Sequence, residues 1–144
     1  MRGARRGFTL VEVVLALALT GLFAYGGVYS FQRIVPKFQL QSGIWEVTSG
    51  LNQARFRAIM SGEPVRVRFV PSGFVFERYD EASKIWRTAR TASLPGVAVQ
   101  ANNSPVFHPQ GTVSDLASIT VSNAQGTYKI TIAITGRVRT ARIG

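Results

Sequence analysis

Three regimes of apolar spacing follow one another along the chain. From Val13 to Gln32 the sequence VVLALALTGLFAYGGVYSFQ carries no charge. Twenty helical residues at about 1.5 Å each span roughly 30 Å, the hydrocarbon thickness of a bilayer. This stretch predicts a helix able to cross a membrane. Arg2, Arg5 and Arg6 precede it with no acid among them. By the positive-inside rule they stay cytoplasmic, so everything after the apolar run lies outside.

The second regime is amphipathic. Leu40, Ile44, Val47, Leu51, Ala54 and Ala58 recur at helical spacing and line one face. Pro36 predicts a kink where this part begins. Gly62, followed by Glu63 and Pro64, is a stop signal. The expectation is one helix of about fifty residues, apolar in its first half and amphipathic in its second.

After Pro64 the period becomes two. Val65, Val67 and Phe69 alternate with Arg66 and Arg68. Residues 74–79 and 84–88 read as strands joined by an Asp80–Ser83 loop, with Asp80 and Glu81 as turn residues. Further strands are expected at 97–101, 106–107, 118–122 and 127–134. The last two flank an Asn123–Gly126 turn. Residues 137–143 form a final strand or extended tail. The fold class expected is α+β: a long N-terminal helix whose second half packs on a small antiparallel β-sheet head. The division expected is a leader at 1–7, a membrane and assembly helix at 8–32, an amphipathic half at 33–62, and a β-rich head at 63–144.

Charge changes the picture next. The chain has 17 basic and 7 acidic residues, a net charge of +10. Such a balance favours an anionic partner without choosing among nucleic acid, lipid and acidic protein. There are no cysteines, so disulfides and thiolate metal sites are excluded. His108 is the only histidine, which rules out a multi-histidine metal cluster. It reads as a loop packing residue. Arg66 and Arg68 read as the wet face of a half-buried strand, and Trp45, Trp86 and Phe107 as core. No phosphate-binding glycine loop or pair of catalytic carboxylates occurs. No enzyme and no cofactor are expected.

Glu12 is the residue the apolar run least explains. A carboxylate at the edge of a membrane helix is costly without a partner. Cleavage after Gly7 would create one, because a new α-amine would appear on Phe8 about one helical turn from Glu12. Two blander readings compete. One is an ordinary secretory signal peptide cut near Ala24–Gly26. The other is a generic single-span anchor in which Glu12 is incidental.

The segment GFTLVE ahead of an apolar run resembles the leader of type IV pilins and type II secretion pseudopilins. The resemblance implies that a prepilin peptidase cuts between Gly7 and Phe8 and that Phe8 is then N-methylated. It also implies that Glu12, fifth in the processed chain, serves assembly. Gly21 falls where that family often has glycine, whereas Tyr29 stands where major pilins commonly have proline, which suits a minor subunit. Downstream, Ala54, Arg55, Ala58, Ile59, Gly62, Val65 and Val67 resemble a segment of the GspH/FimT family. Phe107, Pro109 and Gly111 resemble its F-x-P-x-G, and Gly136-Arg137-Val138-Arg139 its closing G-R-x-R.

That ending raises a sharper possibility. In a regular strand Arg137 and Arg139 share a face, and Arg142 joins them only if the tail bends. Guanidinium groups can engage phosphates bidentately. Some members of the FimT branch bind incoming DNA through this basic motif, which implies double-stranded DNA as a partner for Arg137, Arg139 and Arg142. The alternative is a solvated edge that discourages aggregation. The partners expected are prepilin peptidase, other pilin or pseudopilin subunits, the inner membrane and, on the DNA reading, a duplex. Two functions stay open: a minor pilin that takes up DNA, and a structural pseudopilin of type II secretion. Anionic lipid is a third partner to weigh.

Overall fold

The computed structural model describes residues 7–144, side chains at 28–30, 32 and 33 excepted. Arg2, Arg5 and Arg6 and the side chain of Tyr29 therefore lie outside the described residues. A single helix, α1, spans Leu10–Ser61. Pro36 lies inside it without ending it. Backbone contacts divide the chain at this point into two units, Met1–Val35 and Pro36–Gly144.

The described side chains of the first unit are exposed. The segment Leu10–Gly27 has a mean hydropathy of 1.8, and it is long and apolar enough to cross a membrane.

The second unit has its own core. The helical stripe read from spacing is the buried one: Leu40, Val47, Leu51, Ala54 and Ala58 are buried, and Ile44 packs beside them. Burying each large side chain of this stripe stabilises by about 1.5–3 kcal/mol. The helix stops as expected. Gly62 adopts φ +69° and its N–H donates to the Ala58 carbonyl at 3.1 Å, a left-handed cap that residues with a Cβ rarely reach.

Nine strands follow: β1 Val65–Val70, β2 Gly73–Asp80, β3 Ile85–Ser93, β4 Ala98–Ala101, β5 Val106–Phe107, β6 Val113–Ser114, β7 Ser118–Asn123, β8 Gly126–Ile132 and β9 Val138–Arg142. They form two antiparallel sheets, ordered β3-β2-β1-β5-β6 and β4-β7-β8-β9. Phe74, Phe76 and Phe107 from the first sheet, and Ile119, Val121 and Ile130 from the second, meet the helix stripe in one cluster.

Several expectations need correction. β3 runs to Ser93 rather than Thr88, and β6 lies between the expected strands 106–107 and 118–122, where no element was expected. Trp45 is 68% exposed, on the side of α1 away from the stripe. Trp86 is half-buried outside the core, under the Arg66 guanidinium at 4.5 Å and beside Tyr79. Only Phe107 of the three aromatics is core. Arg66 and Arg68 are not simply wet. The register puts Arg66 opposite Glu77, and both arginines bond its carboxylate, at 2.7 Å and 2.9 Å from their Nε atoms. Glu77 is thereby the one charged residue buried among those described. Its burial is tolerable because both oxygens have charged partners.

Candidate functional site

At the N-terminus, Thr9 precedes the helix and caps it. Its hydroxyl oxygen accepts from the Glu12 N–H at 3.3 Å. The Thr9 carbonyl accepts from Glu12 and Val13 at 3.1 and 3.2 Å. Thr9-x-x-Glu12 has the spacing of a capping box, and a carboxylate in the first turn suits the positive end of the helix dipole. Glu12 thus has a local role that sequence reasoning missed, although the four-residue signal was legible. Gly7 and Phe8 lie ahead of the cap, and Phe8 is 80% exposed.

The C-terminal arginines separate. β9 is an edge strand paired only with β8. Thr131 faces Arg139 and Tyr128 faces Arg142 across the ladder. Directly opposed residues share a face. Arg142 therefore lies on the face of Tyr128 and buried Ile130, and Arg139 on the other. The tail does not bend to bring them together: Thr127 pairs onward with Ile143 and Gly144. Arg137 precedes β9, and its carbonyl accepts from the Ala133 N–H at 2.9 Å. That bond extends the ladder by one residue toward Arg137. The outer face carries Ser118, Thr120 and Ser122 of β7, Lys129 and Thr131 of β8, and Arg139 of β9. Lys129 is a diagonal neighbour of Arg139, a pairing no single-strand pattern reveals. No strand of this sheet carries an acid.

Three of the family-like motif residues converge. Gly136 (φ +77°) closes the β8–β9 loop, its N–H donating to the Ala133 carbonyl at 2.8 Å. A Cβ there would stand 2.8 Å from Arg55 Nε, and one on Gly111 would stand 3.5 Å from an Arg55 terminal nitrogen. Arg55 lies across both glycines with its Nε buried and without a hydrogen-bond partner. The sequence showed these as three separate motifs; the fold makes them one junction between helix, loop and hairpin.

His108 sits half-buried in its loop, 2.9 Å from Ser114 Oγ. The Asp80–Lys84 turn is exposed. Its Asp80 carboxyl is held below the usual value, chiefly by the Ser83 hydroxyl donating at 2.7 Å. Glu81, hydrogen-bonded to Lys84 Nζ, raises that ammonium above its usual value. Among the described residues no group of His, Asp or Glu is placed to hold a metal ion.

Residues 45–136 match the family described as type II transport protein GspH, and residues 2–24 match the prokaryotic N-terminal methylation motif. The chain belongs to the GspH family. Solved structures share the GspH-family fold. The minor pseudopilin EpsH of the type II secretion system of Vibrio cholerae aligns with TM-score 0.62 and 14% identity, over 75% of this chain and 96% of that one. The type IV minor pilin FimU of Pseudomonas aeruginosa aligns at 0.60 and 15%, over 73% and 90%. Escherichia coli GspH aligns at 0.56 and 14%, over 73% and 89%. No curated protein matches in sequence. The chain thus joins a GspH-family head to an N-terminal methylation motif.

Proposed function

We propose that the chain is cut between Gly7 and Phe8, methylated on Phe8, and held in the inner membrane by residues 8–32 with the leader cytoplasmic and the head outside. It then enters a pilus or pseudopilus, where Glu12 pairs with a Phe8 amine of its own or a neighbouring subunit. The role is assembly rather than catalysis. The division into leader (1–7), membrane helix (8–32), amphipathic half (33–62) and head (63–144) is part of this proposal. Mass spectrometry of the protein co-expressed with a prepilin peptidase tests the cut: the product should begin with methylated Phe8, and Gly7→Leu should leave the precursor intact.

The finer proposal is that the head holds duplex DNA through Arg137 and Arg139. The observation that carries it is the acid-free outer face of the second sheet, where Lys129 flanks Arg139. The test is duplex affinity of residues 36–144 across a salt series, with and without Arg137→Gln/Arg139→Gln. Each lost phosphate contact lowers the slope of log K against log salt by about 0.9. Weak binding that the double variant leaves unchanged would end the DNA reading. A structural pseudopilin of type II secretion would then remain, and the position of both arginines at an edge strand favours that second reading.

A further inference from the structure

Arg142, turned away from Arg139, belongs to a different arrangement. On α1, Lys37, Leu40, Gln41 and Ile44 stand three and four residues apart and share a face. That face meets Tyr128 and Arg142, which oppose each other across the β8–β9 ladder, and Gln125 of the preceding turn. Together these side chains line a cleft of about 220 Å³. Leu40 and Ile44 supply its apolar part. The remaining lining groups are two cations, two amides and a phenol. No Asp or Glu side chain lines it, and among the described residues neither Lys37 nor Arg142 pairs with one.

The cleft is built rather than incidental. Asn123 Nδ2 donates to the Pro36 carbonyl at 2.7 Å, one residue before Lys37. The Gln125 N–H donates to Asn123 Oδ1 at 2.8 Å. The turn bearing Gln125 is therefore tied to the helix bearing Lys37. Arg142 Nε donates to a Gly144 main-chain oxygen at 3.1 Å, which orients the guanidinium and leaves its terminal nitrogens for another acceptor.

We propose that this cleft binds a phosphate group, and that its source is the headgroup of an anionic phospholipid. An anion fits best, because the lining side chains are two cations and neutral groups with no Asp or Glu. Arg142 gives planar, bidentate recognition of phosphate and Lys37 a compact charge beside it. The cleft is smaller than sites for drug-sized ligands, which occupy about 300–1,000 Å³, and a phosphate group fits within it. The lipid source rests on the reading that residues 8–32 span the membrane. Lys37 comes five residues after Gln32, the last of the uncharged run.

The test uses the full chain in phosphatidylcholine nanodiscs with and without phosphatidylglycerol, released for native mass spectrometry. The parent should retain phosphatidylglycerol in preference to phosphatidylcholine. Lys37→Gln and Arg142→Gln should each weaken that preference by about tenfold, the value of a charge-assisted hydrogen bond. Lys84→Gln, in the exposed turn outside the cleft, should leave it unchanged. In a second arm inorganic phosphate is titrated into the detergent-solubilised chain while the amide signals of Gln125 and Tyr128 are followed by NMR. Shifts present in the parent and absent in Lys37→Gln, without a lipid preference, would keep the phosphate site and assign it a soluble source. No shifts, together with a lipid preference that Lys37→Gln leaves intact, would overturn the proposal. Lys37 is an exposed helix position, so its variant should fold normally. It takes no part in the DNA test, so either reading can fail alone.

Discussion

Replacing Gly50 by alanine sets two effects of known size against each other. Alanine in a helix interior is favoured over glycine by about 0.8–1.0 kcal/mol. By propensity alone Gly50→Ala should stabilise. The structure argues the reverse. A Cβ at this position would sit 2.6 Å from Phe74 Cζ and 2.7 Å from Cε2. Carbon atoms prefer about 3.5–4.0 Å, so the ring must retreat by roughly 1 Å. It has little room. Phe74 is 2% exposed and its ring centroid lies 5.4 Å from Phe76 and 6.0 Å from Phe69. Overpacking of a close-packed core costs about 1–3 kcal/mol, and this site belongs in the upper half of that range. After the propensity gain the net loss is about 1–2 kcal/mol, or roughly 5–10 °C in Tm for a unit of this size. Thermal unfolding of residues 36–144 followed by near-ultraviolet circular dichroism measures it. Adding Phe74→Leu should return part of the loss, a favourable coupling in the double-mutant cycle. If Gly50→Ala melts at or above the parent temperature, the close approach of helix to sheet described here is wrong.

Three further outcomes follow from the same geometry. Glu77→Gln should lower stability by about 1–3 kcal/mol in urea titration, less than for a fully buried pair, because Arg66 and Arg68 keep side-chain exposures of 27% and 45%. Gly136→Ala should lose about 1–2 kcal/mol from its left-handed backbone, and more if Arg55 cannot move; the urea midpoint reads this directly. Asp80 should titrate below its ordinary value of 3.8 in a carboxyl-detected NMR titration. A depressed pKa means that its contribution is present above that value and is lost as pH falls through the folded-state pKa, so Asp80→Asn should remove this part of the acid sensitivity.

The sequence made the helix legible because every position of its stripe obeys one period, and Gly62 carried its own stop signal. Trp45 was misread although it neighbours Ile44, since one helical residue turns the side chain by about 100° and off the stripe. β3 was cut short for a different reason. Ala89-Arg90-Thr91-Ala92 lies on an exposed edge, so neither of its faces imposes an apolar alternation. The Glu77 pair was invisible because it depends on register between strands, which FVFERY alone does not specify. The opposition of Arg139 and Arg142 was readable from their odd spacing. Their neighbours Lys129 and Lys37 were not, since each comes from another element.

The bond from Asn123 to the Pro36 carbonyl has a mechanical side. Any tension applied through the apolar half of α1 reaches the head at its first residues. There the helix is held laterally by one short bond to the hairpin turn rather than by the buried stripe, which begins at Leu40. The turn at 123–126 is thus a strain relief at the entry of a cable. It ties the first turn inside the head to the second sheet ahead of the buried stripe.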